Sequence, residues 1–206
     1  ALSGKVVEVL NRYDPKLVEG LDSGKAFLPS WGVVFVAPNQ ESLSVPFRKD
    51  YSSRNGKETA PGFIARRMDF DYFMVEEVKK RKEVKLLENT AITGFEKTPE
   101  GYRLRAAGSD LIIDTQLVIA CDGAHSRFAK EEGGIQVEKD HYCAGLRVYY
   151  ENVKGMHEGN FIELHFLKEL LPGYFWIFPL PNGGANVGLG MRSDYVSKHK
   201  INLKEQ

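Results

Sequence analysis

The stretch Asp114-Thr-Gln-Leu-Val-Ile-Ala-Cys-Asp-Gly-Ala-His-Ser-Arg127 decides the fold class of this chain. Within it, residues 117–121 form a short apolar run rich in β-branched residues, which predicts a strand buried on both faces. The run ends at Asp122-Gly123, and residues 124–132 are compatible with a helix. Open α/β sheets bind ligands at the carboxyl edge of their strands, so the pattern predicts a ligand site at Asp122 and Gly123.

Two properties of this corner suit a ligand that carries a phosphate. Gly123 has no Cβ atom, so a ligand can approach its backbone closely. The free N–H groups in the first turn of the following helix favour an anion. The alternative is that Asp122-Gly123 forms only a turn, since this dipeptide is a common turn former. The residues alone leave both interpretations open.

The composition excludes several classes of partner. The chain has 206 residues, enough for one large domain or two small ones. Its 28 basic and 28 acidic residues balance, and no basic stripe indicates nucleic acid or an anionic membrane as a partner. No apolar run approaches the roughly 20 residues of a membrane span. Cys121 and Cys143 form no disulfide framework, and a buried Cys121 is typical of a cytoplasmic protein.

The segments around the corner predict a mixed α/β fold. Residues 84–87 predict a parallel-type strand, and three short strands joined by tight turns predict a meander that leads to the Asp122 strand. Alternating apolar segments on both sides of this region predict antiparallel sheet. The meander strands are 91–97, 102–106 and 111–114, and the outer strands are 31–37, 43–47, 144–150, 161–166, 174–180 and 186–191.

Three helices are expected before the meander. Ser3 can cap the first helix, and Asp14 followed by Pro15 at the first helical position begins the second. The third begins near Arg67, because apolar residues follow at helical spacing and acidic residues occupy its first turn.

Three motifs, in this order along the chain, resemble the geranylgeranyl reductase-like family of FAD-dependent oxidoreductases, within the flavin monooxygenase superfamily. Arg67-Met-Asp-Phe-Asp71 resembles the Arg-x-x-Phe-Asp that opens a helix in that family. Val118-Ile-Ala-Cys-Asp-Gly-Ala-His-Ser-Arg127 resembles its second flavin motif, with Cys121 where the family usually has Ala. Pro172-Gly-Tyr-Phe-Trp-Ile-Phe-Pro179 is similar to the family's Pro-Gly-Tyr-x-Trp-x-Phe-Pro. The order of the three is more specific than any one of them.

The resemblance implies that three residues hold the cofactor, FAD. Arg67 would make charge-assisted hydrogen bonds to the flavin pyrophosphate. Asp122 would accept hydrogen bonds from a ribose hydroxyl or a phosphate-bound water, and Gly123 would let the cofactor approach. An ordinary surface arginine remains the alternative for Arg67. The sequence indicates no general acid or base and no metal ligands, so the catalytic residues are unknown.

A second set of residues is expected to line a substrate cavity. Alternation along a strand places Tyr174, Trp176 and Phe178 on one face, and the resemblance implies that they form part of the cavity wall. The alternative is an aromatic stripe that only packs a core. The Gly-rich run at 183–190 does not have the Gly-x-Gly-x-x-Gly spacing of a phosphate loop. It predicts a strand whose glycines leave room for something to approach, or simply a twisted edge.

The fold implied is α/β (α+β): part of an FAD/NAD(P)-binding Rossmann-like domain with a β-meander, plus an antiparallel substrate-domain sheet. The expected domains are a helical lead-in (1–24), substrate-domain strands (25–65), a partial FAD-binding domain (66–135) and a substrate-domain sheet (136–206). A complete family member also has a Gly-rich strand-turn-helix before this region and a Gly-Asp motif after it. The expectation is therefore a fragment that is inactive alone and has little or no FAD affinity.

The function expected of the full-length protein is FAD-dependent reduction of a hydrophobic, isoprenoid-like substrate or transfer of electrons through the flavin. NAD(P)H is a candidate electron donor, and an electron-transfer protein is a candidate partner. A flavin-dependent aromatic hydroxylase is one alternative. The other is a non-catalytic α+β module that binds a ligand or a partner, in which Asp122-Gly123 is only a turn.

Overall fold

The computed structural model describes residues 1–53, 58–136 and 138–205. The chain forms two compact units, the first from residues 1–75 and 139–206 and the second from residues 76–138. The helices are α1 (Gly4–Tyr13), α2 (Pro15–Ser23), α3 (Arg67–Lys79), α4 (Arg127–Glu131) and α5 (Ser193–His199). The strands are β1 (Leu28–Ser30), β2 (Gly32–Val36), β3 (Ser42–Pro46), β4 (Gly62–Ile64), β5 (Ile92–Thr98), β6 (Gly101–Ala106), β7 (Ile112–Thr115), β8 (Cys143–Tyr150), β9 (Ile162–His165), β10 (Tyr174–Leu180) and β11 (Gly184–Arg192). The functional domain boundaries given above stay predictions.

The first two helices begin differently. Asp14 caps α2 as expected, because its carboxylate accepts a hydrogen bond of 3.1 Å from the backbone N–H of Lys16 and Pro15 opens the helix. The prediction of a side-chain cap at Ser3 is wrong. The Ser3 side chain makes no capping hydrogen bond, and only its backbone carbonyl accepts from the N–H of Val7, at 3.1 Å.

Six strands of the first unit form one sheet in the order β3-β2-β9-β10-β11-β8. All neighbours are antiparallel except β2 and β9, which are parallel. The predicted antiparallel segments between residues 31 and 47 and between residues 144 and 191 are therefore confirmed. The parallel contact of β2 with β9 was not predicted, because parallel partners can lie far apart in the chain.

Two apolar cores stabilise the first unit. One is formed by α1, α2, the antiparallel pair of strands β1 and β4, and the start of α3, with Leu21 and Phe63 fully buried. The other lies between one face of the sheet and α5, where Leu189 and Met191 pack against Tyr195 and Val196. The sheet therefore has one face covered by α5 near β11, while its opposite face contains Tyr174, Trp176 and Phe178 of β10.

The second unit confirms the predicted meander and corrects two predicted strands and the expected burial of Cys121. Its strands β5, β6 and β7 form the expected antiparallel meander. Residues 84–87 and 117–121, however, form no strand and pair with no strand in the described part of the chain. Leu117 is 72% exposed and Ile119 is 77% exposed. Cys121, expected to be buried, is also exposed.

The two wrong strand predictions, at 84–87 and 117–121, have the same physical cause. A strand is stable only when a neighbour satisfies its backbone N–H and C=O groups, and the described residues of this unit provide no such neighbour for 84–87 or 117–121. The apolar, β-branched pattern was recognised correctly, but the pattern does not supply the partner.

In addition, no helix in the described part of the chain combines the length and apolar composition that crossing a membrane requires.

Candidate functional site

The Asp122-Gly123 corner is open to solvent. Asp122 is exposed, and its carboxylate has no hydrogen-bond partner in the described part of the chain. Gly123 has a φ angle of +90°, a conformation that L side chains rarely adopt, and the position of a Cβ atom there would meet nothing within 4 Å. The carbonyl of Gly123 accepts a hydrogen bond of 3.1 Å from the backbone N–H of Ser126, which fixes the turn.

The helix that follows is shorter than predicted. It begins at Arg127 rather than near Ala124 and ends at Glu131. Its cap, Ser126, is buried, and the hydroxyl accepts a hydrogen bond of 3.0 Å from the N–H of Ala129. Five residues and a first turn that is already capped do not make an anion site, so that part of the expectation is not supported. The corner therefore offers the carboxylate of Asp122 as a hydrogen-bond acceptor, beside the unobstructed backbone of Gly123.

A cleft of about 530 Å³ lies beside the corner, within the second unit. Its walls are mainly apolar, and its charged groups are Asp122 and Arg127. The residues that line it are Thr90, Ala91, Ile92, Phe95, Leu104, Val118, Ile119, Ala120, Cys121, Asp122, Arg127 and Phe128. An apolar cleft with a carboxylate at its rim has the chemistry that a nucleoside with ribose hydroxyls needs, so these residues fit part of a flavin cofactor.

Arg127 is a candidate residue to which sequence reasoning gave no role. Its guanidinium donates to Glu131 at 3.0 Å and to the carbonyl of Thr93 at 3.2 Å, and it lies 5.8 Å from the ring centroid of Phe95. These contacts tie α4 to the meander and hold a positive charge in the cleft with Asp122. The sequence feature that could have identified Arg127 was its position directly after the capping Ser126 in the second motif.

Arg67 opens α3, as expected, but it already has an acidic partner. Its Nε and Nη2 atoms each donate to the carboxylate of Asp71 at 3.1 Å. Hydrogen bonding to Asp71 raises the pKa of Arg67. Both residues belong to the Arg-x-x-Phe-Asp motif, so the motif forms an ion pair one helical turn long. The two N–H groups of the Arg67 Nη1 atom are not used by Asp71.

The aromatic residues of β10 do lie on one face of the sheet. The register places Tyr174 opposite Gly190, Trp176 opposite Gly188, and Phe178 opposite Asn186. Neighbouring ring centroids are 6.0 Å apart for Tyr174 and Trp176 and 6.2 Å apart for Trp176 and Phe178. The stripe continues across the sheet through Phe166 to Phe35, at centroid distances of 6.2 and 6.5 Å. We call Phe35, Phe166, Tyr174, Trp176 and Phe178 the aromatic face.

The glycines of β11 make room for Trp176. A Cβ atom at Gly188 would collide with the indole ring and with the carbonyl of Leu146, and one at Gly190 would lie 3.6 Å from the ring. The indole N–H donates to the side-chain oxygen of Asn186 at 3.1 Å. The Gly-rich run is therefore a strand that accommodates a neighbour, as one of the two interpretations predicted. The other, a twisted edge, is wrong, because β11 lies between β10 and β8.

Comparison with known proteins identifies the class of protein to which this fold belongs. No protein-family model matches the chain. The geranylgeranyl bacteriochlorophyll reductase-like protein of Thermoplasma acidophilum has a similar structure, with a TM-score of 0.75 and 20% identity, over 96% of this chain and 47% of that protein. A flavin-dependent brominase aligns with a TM-score of 0.70 and 19% identity, over 99% of this chain and 48% of the brominase. The fold is that of FAD-binding flavoproteins, which confirms the predicted fold class.

Sequence comparison gives a narrower result. The digeranylgeranylglycerophospholipid reductase of Methanococcus vannielii is 31% identical over 179 residues, which cover 84% of this chain and 42% of that protein. The reductase of the same name from Methanocaldococcus jannaschii is 32% identical over 141 residues, which cover 66% of this chain and 35% of that protein. This chain is thus a homologue of part of the digeranylgeranylglycerophospholipid reductases, and the resemblance seen in its motifs is confirmed. It spans less than half the length of these relatives.

Proposed function

We propose that this chain is part of an FAD-dependent oxidoreductase that reduces carbon–carbon double bonds in a hydrophobic, isoprenoid-like substrate. The observation that supports this most is the homology, over 84% of the chain, to proteins named reductases of a digeranylgeranylglycerophospholipid. FAD, when bound, would supply the hydride transfer, while the protein binds, orients and excludes water. Since the chain spans 42% of the first of these relatives, the activity is proposed for the full-length protein.

The residues at the corner would bind the sugar part of the cofactor. The free, exposed carboxylate of Asp122 would accept hydrogen bonds from a ribose hydroxyl, or from a water bound to phosphate, since direct contact with phosphate would be repulsive. Gly123 would allow backbone approach, because the space where its Cβ would project is open. Arg127 would hold the meander and α4 together beside them.

Arg67 would offset the negative charge of the pyrophosphate. Its ion pair with Asp71 fixes the guanidinium plane and leaves the Nη1 atom to donate to a phosphate oxygen. The pair also means that the net charge at this position is near zero, so the contribution of Arg67 would be mainly directional hydrogen bonding.

The aromatic face would form a wall of the substrate cavity. Tyr174 is 41% exposed and its neighbours on the face are half-buried, so a hydrophobic chain has apolar surface to cover. We assign no general acid or base to this face. NADH, NADPH or an electron-transfer protein remain the candidate electron donors, and a cytoplasmic location remains a prediction.

Anaerobic reduction and reoxidation of the purified full-length protein test the proposal. The flavin would be reduced with NADH, NADPH or dithionite, and a geranylgeranyl lipid would then be added without oxygen. The expected result is reoxidation of the flavin together with a product that has gained two hydrogen atoms for each double bond reduced. Reduced flavin that is reoxidised only by oxygen, with a hydroxylated aromatic product, would support the hydroxylase instead. A full-length protein that binds no flavin would support the non-catalytic module.

A further inference from the structure

Two arginines from different elements approach the same tyrosine ring at an edge of the six-stranded sheet. Tyr149 lies on β8, which is an edge strand. The Cζ atom of Arg66, just before α3, lies 5.6 Å from the centroid of the Tyr149 ring. The Cζ atom of Arg147 lies 5.1 Å from it. Each cation–π contact is attractive, but the two positive charges repel each other. We call Arg66, Arg147 and Tyr149 the arginine–tyrosine cluster.

No carboxylate in the described part of the chain pairs with these two guanidinium groups. The other arginines near this sheet do have such partners: Arg67 pairs with Asp71, and Arg192 with Asp194. An unpaired pair of arginines at one ring suits an anionic ligand.

A small cleft beside Arg66 adds to this picture. It has a volume of about 340 Å³ and is lined by Lys25, Ala26, Arg66, Asp69, Pro181 and Asn182. Asp69 is the one carboxylate among these lining residues, and it faces two cations, Lys25 and Arg66. The balance of charge at the cleft therefore remains positive, and it lies next to the arginine–tyrosine cluster through their shared residue, Arg66.

The cluster lies on the same side of the sheet as the aromatic face. Cross-strand register aligns Arg147 with Gly188 and Trp176, and Tyr149 with Asn186 and Phe178. Side chains at paired positions of neighbouring strands point to the same face. The Trp176 ring also extends over β11 as far as Gly145 of β8, where a Cβ atom would lie 4.0 Å from its edge. The apolar surface thus continues from the aromatic face to the strand that contains Arg147.

From this juxtaposition we propose that the face binds a single anionic amphiphile, with its head group at the arginine–tyrosine cluster and its apolar chain along the aromatic face. The head group is a phosphate ester, because two guanidinium groups match phosphate oxygens. The chain is isoprenoid, a point that rests on the proposed function. The sheet is about 24 Å wide from β8 to β3 at ordinary strand spacing, which gives the chain a long apolar track.

Binding measurements on the FAD-loaded full-length protein test this orientation. The probes are geranylgeranyl phosphate, its uncharged match geranylgeraniol, and inorganic phosphate. We expect the wild type to prefer geranylgeranyl phosphate over geranylgeraniol by at least about tenfold, the order of one charge-assisted hydrogen bond. The preference should weaken as salt is added, because exposed charges are screened. The double variant R66Q/R147Q should lose the preference, while its affinity for geranylgeraniol stays within about twofold of wild type.

The control is Arg105→Gln. Arg105 is also an exposed arginine on a strand, and it makes no ion pair within the described residues. It belongs to β6 of the second unit, so its loss should leave the preference unchanged. Loss of bound FAD in R66Q/R147Q would overturn the proposal, because the arginines would then serve the cofactor. Equal binding of inorganic phosphate and geranylgeranyl phosphate would also overturn it, since the aromatic face would be unused. A wild type that binds both isoprenoids equally would refute the head-group site alone, whereas one that holds FAD but binds neither would refute the proposed function.

Discussion

The six-stranded sheet of the first unit and the apolar segments of the second unit have similar sequence patterns but different structures. In the sheet, apolar residues such as Val33 and Leu189 are buried and every strand has a hydrogen-bonded neighbour. Residues 84–87 and 117–121 are as rich in β-branched and aliphatic residues. In the described part of the chain, however, they pair with no strand and all but the half-buried Val118 are exposed. An apolar pattern therefore indicates the tendency to form a strand, while the pairing partner decides whether the strand forms.

The type of partner explains the difference. Antiparallel neighbours such as β10 and β11 are joined by a short turn, so local sequence supplies both members of the pair. A strand of a parallel sheet needs a neighbour from a distant part of the chain. We propose that the missing neighbours of 84–87 and 117–121 belong to the rest of the full-length protein. Hydrogen exchange tests this proposal directly, and three substitutions test contacts within the two regions.

The largest effect is expected in hydrogen exchange at residues 117–121. In the isolated 206-residue chain, these backbone amides should exchange nearly as fast as in an unfolded peptide. In the full-length protein, pairing in a sheet should slow the exchange by at least about 100-fold. The amides of β10 serve as the control and should be protected in both proteins. Fast exchange at 117–121 in both proteins would mean that the segment is a loop.

Substitutions at two glycines of β11 test how closely the six-stranded sheet is packed around Trp176. Gly188→Ala places a Cβ atom against the Trp176 ring and the Leu146 carbonyl, so we expect a loss of about 1–3 kcal/mol in the free energy of unfolding. Gly190→Ala is the matched control, because its nearest contacts would be at 3.6 and 3.8 Å, an ordinary packing distance. Urea unfolding of both variants gives the comparison. Equal stability of the two variants would show that Trp176 does not lie over Gly188.

The corner in the second unit can be tested through the cofactor. In the full-length protein, Asp122→Ala should weaken FAD binding by about 1–3 kcal/mol, the usual range for losing a hydrogen bond to a charged group. Asp110→Ala changes an exposed carboxylate at the turn between β6 and β7 and should leave the affinity unchanged. Flavin titration of the apoprotein measures both. An unchanged affinity for Asp122→Ala would remove this residue from the site.

The smallest effect is expected at an ion pair within the meander. Arg103 on β6 donates to Asp114 on β7 at 2.7 and 3.1 Å, and this hydrogen bonding lowers the pKa of Asp114 from its ordinary value of 3.8. A lowered carboxyl pKa stabilises the fold above pH 3.8 and ceases to do so as the pH falls through the folded-state pKa. Asp114→Asn should therefore reduce the midpoint temperature of thermal unfolding slightly at neutral pH and not at all in strong acid. An equal reduction at both pH values would show that the carboxylate charge is not the cause.

Much of the fold could be predicted from the sequence because its antiparallel strands are local. The meander, the sheet strands and the second helix were predicted from turns, alternation and the Asp14-Pro15 cap. The motif order predicted the flavoprotein fold, which structural comparison confirmed. The assignments of Arg67, Asp122 and Gly123 to FAD, and of the β10 aromatic residues to a substrate cavity, stay predictions.

The remaining features depend on contacts that no local pattern encodes. The ion pair between Arg67 and Asp71 could have been predicted, since the two residues are one helical turn apart. The approach of Arg66 and Arg147 to one tyrosine depends on bringing together positions more than 80 residues apart, which only the three-dimensional structure reveals. The same holds for the stacking of Trp176 on the glycines of another strand.

The hydrogen bond between Trp176 and Asn186 has a consequence for how this surface would select a ligand. An indole that rests on glycines and is fixed at its N–H has few rotamers to lose when a ligand arrives. A ligand would therefore meet a surface whose shape is set in advance, with little loss of side-chain entropy on association. Changing ligand preference by evolution or design would be easiest at Tyr174 and Leu43, which are more exposed, rather than at this rigid centre.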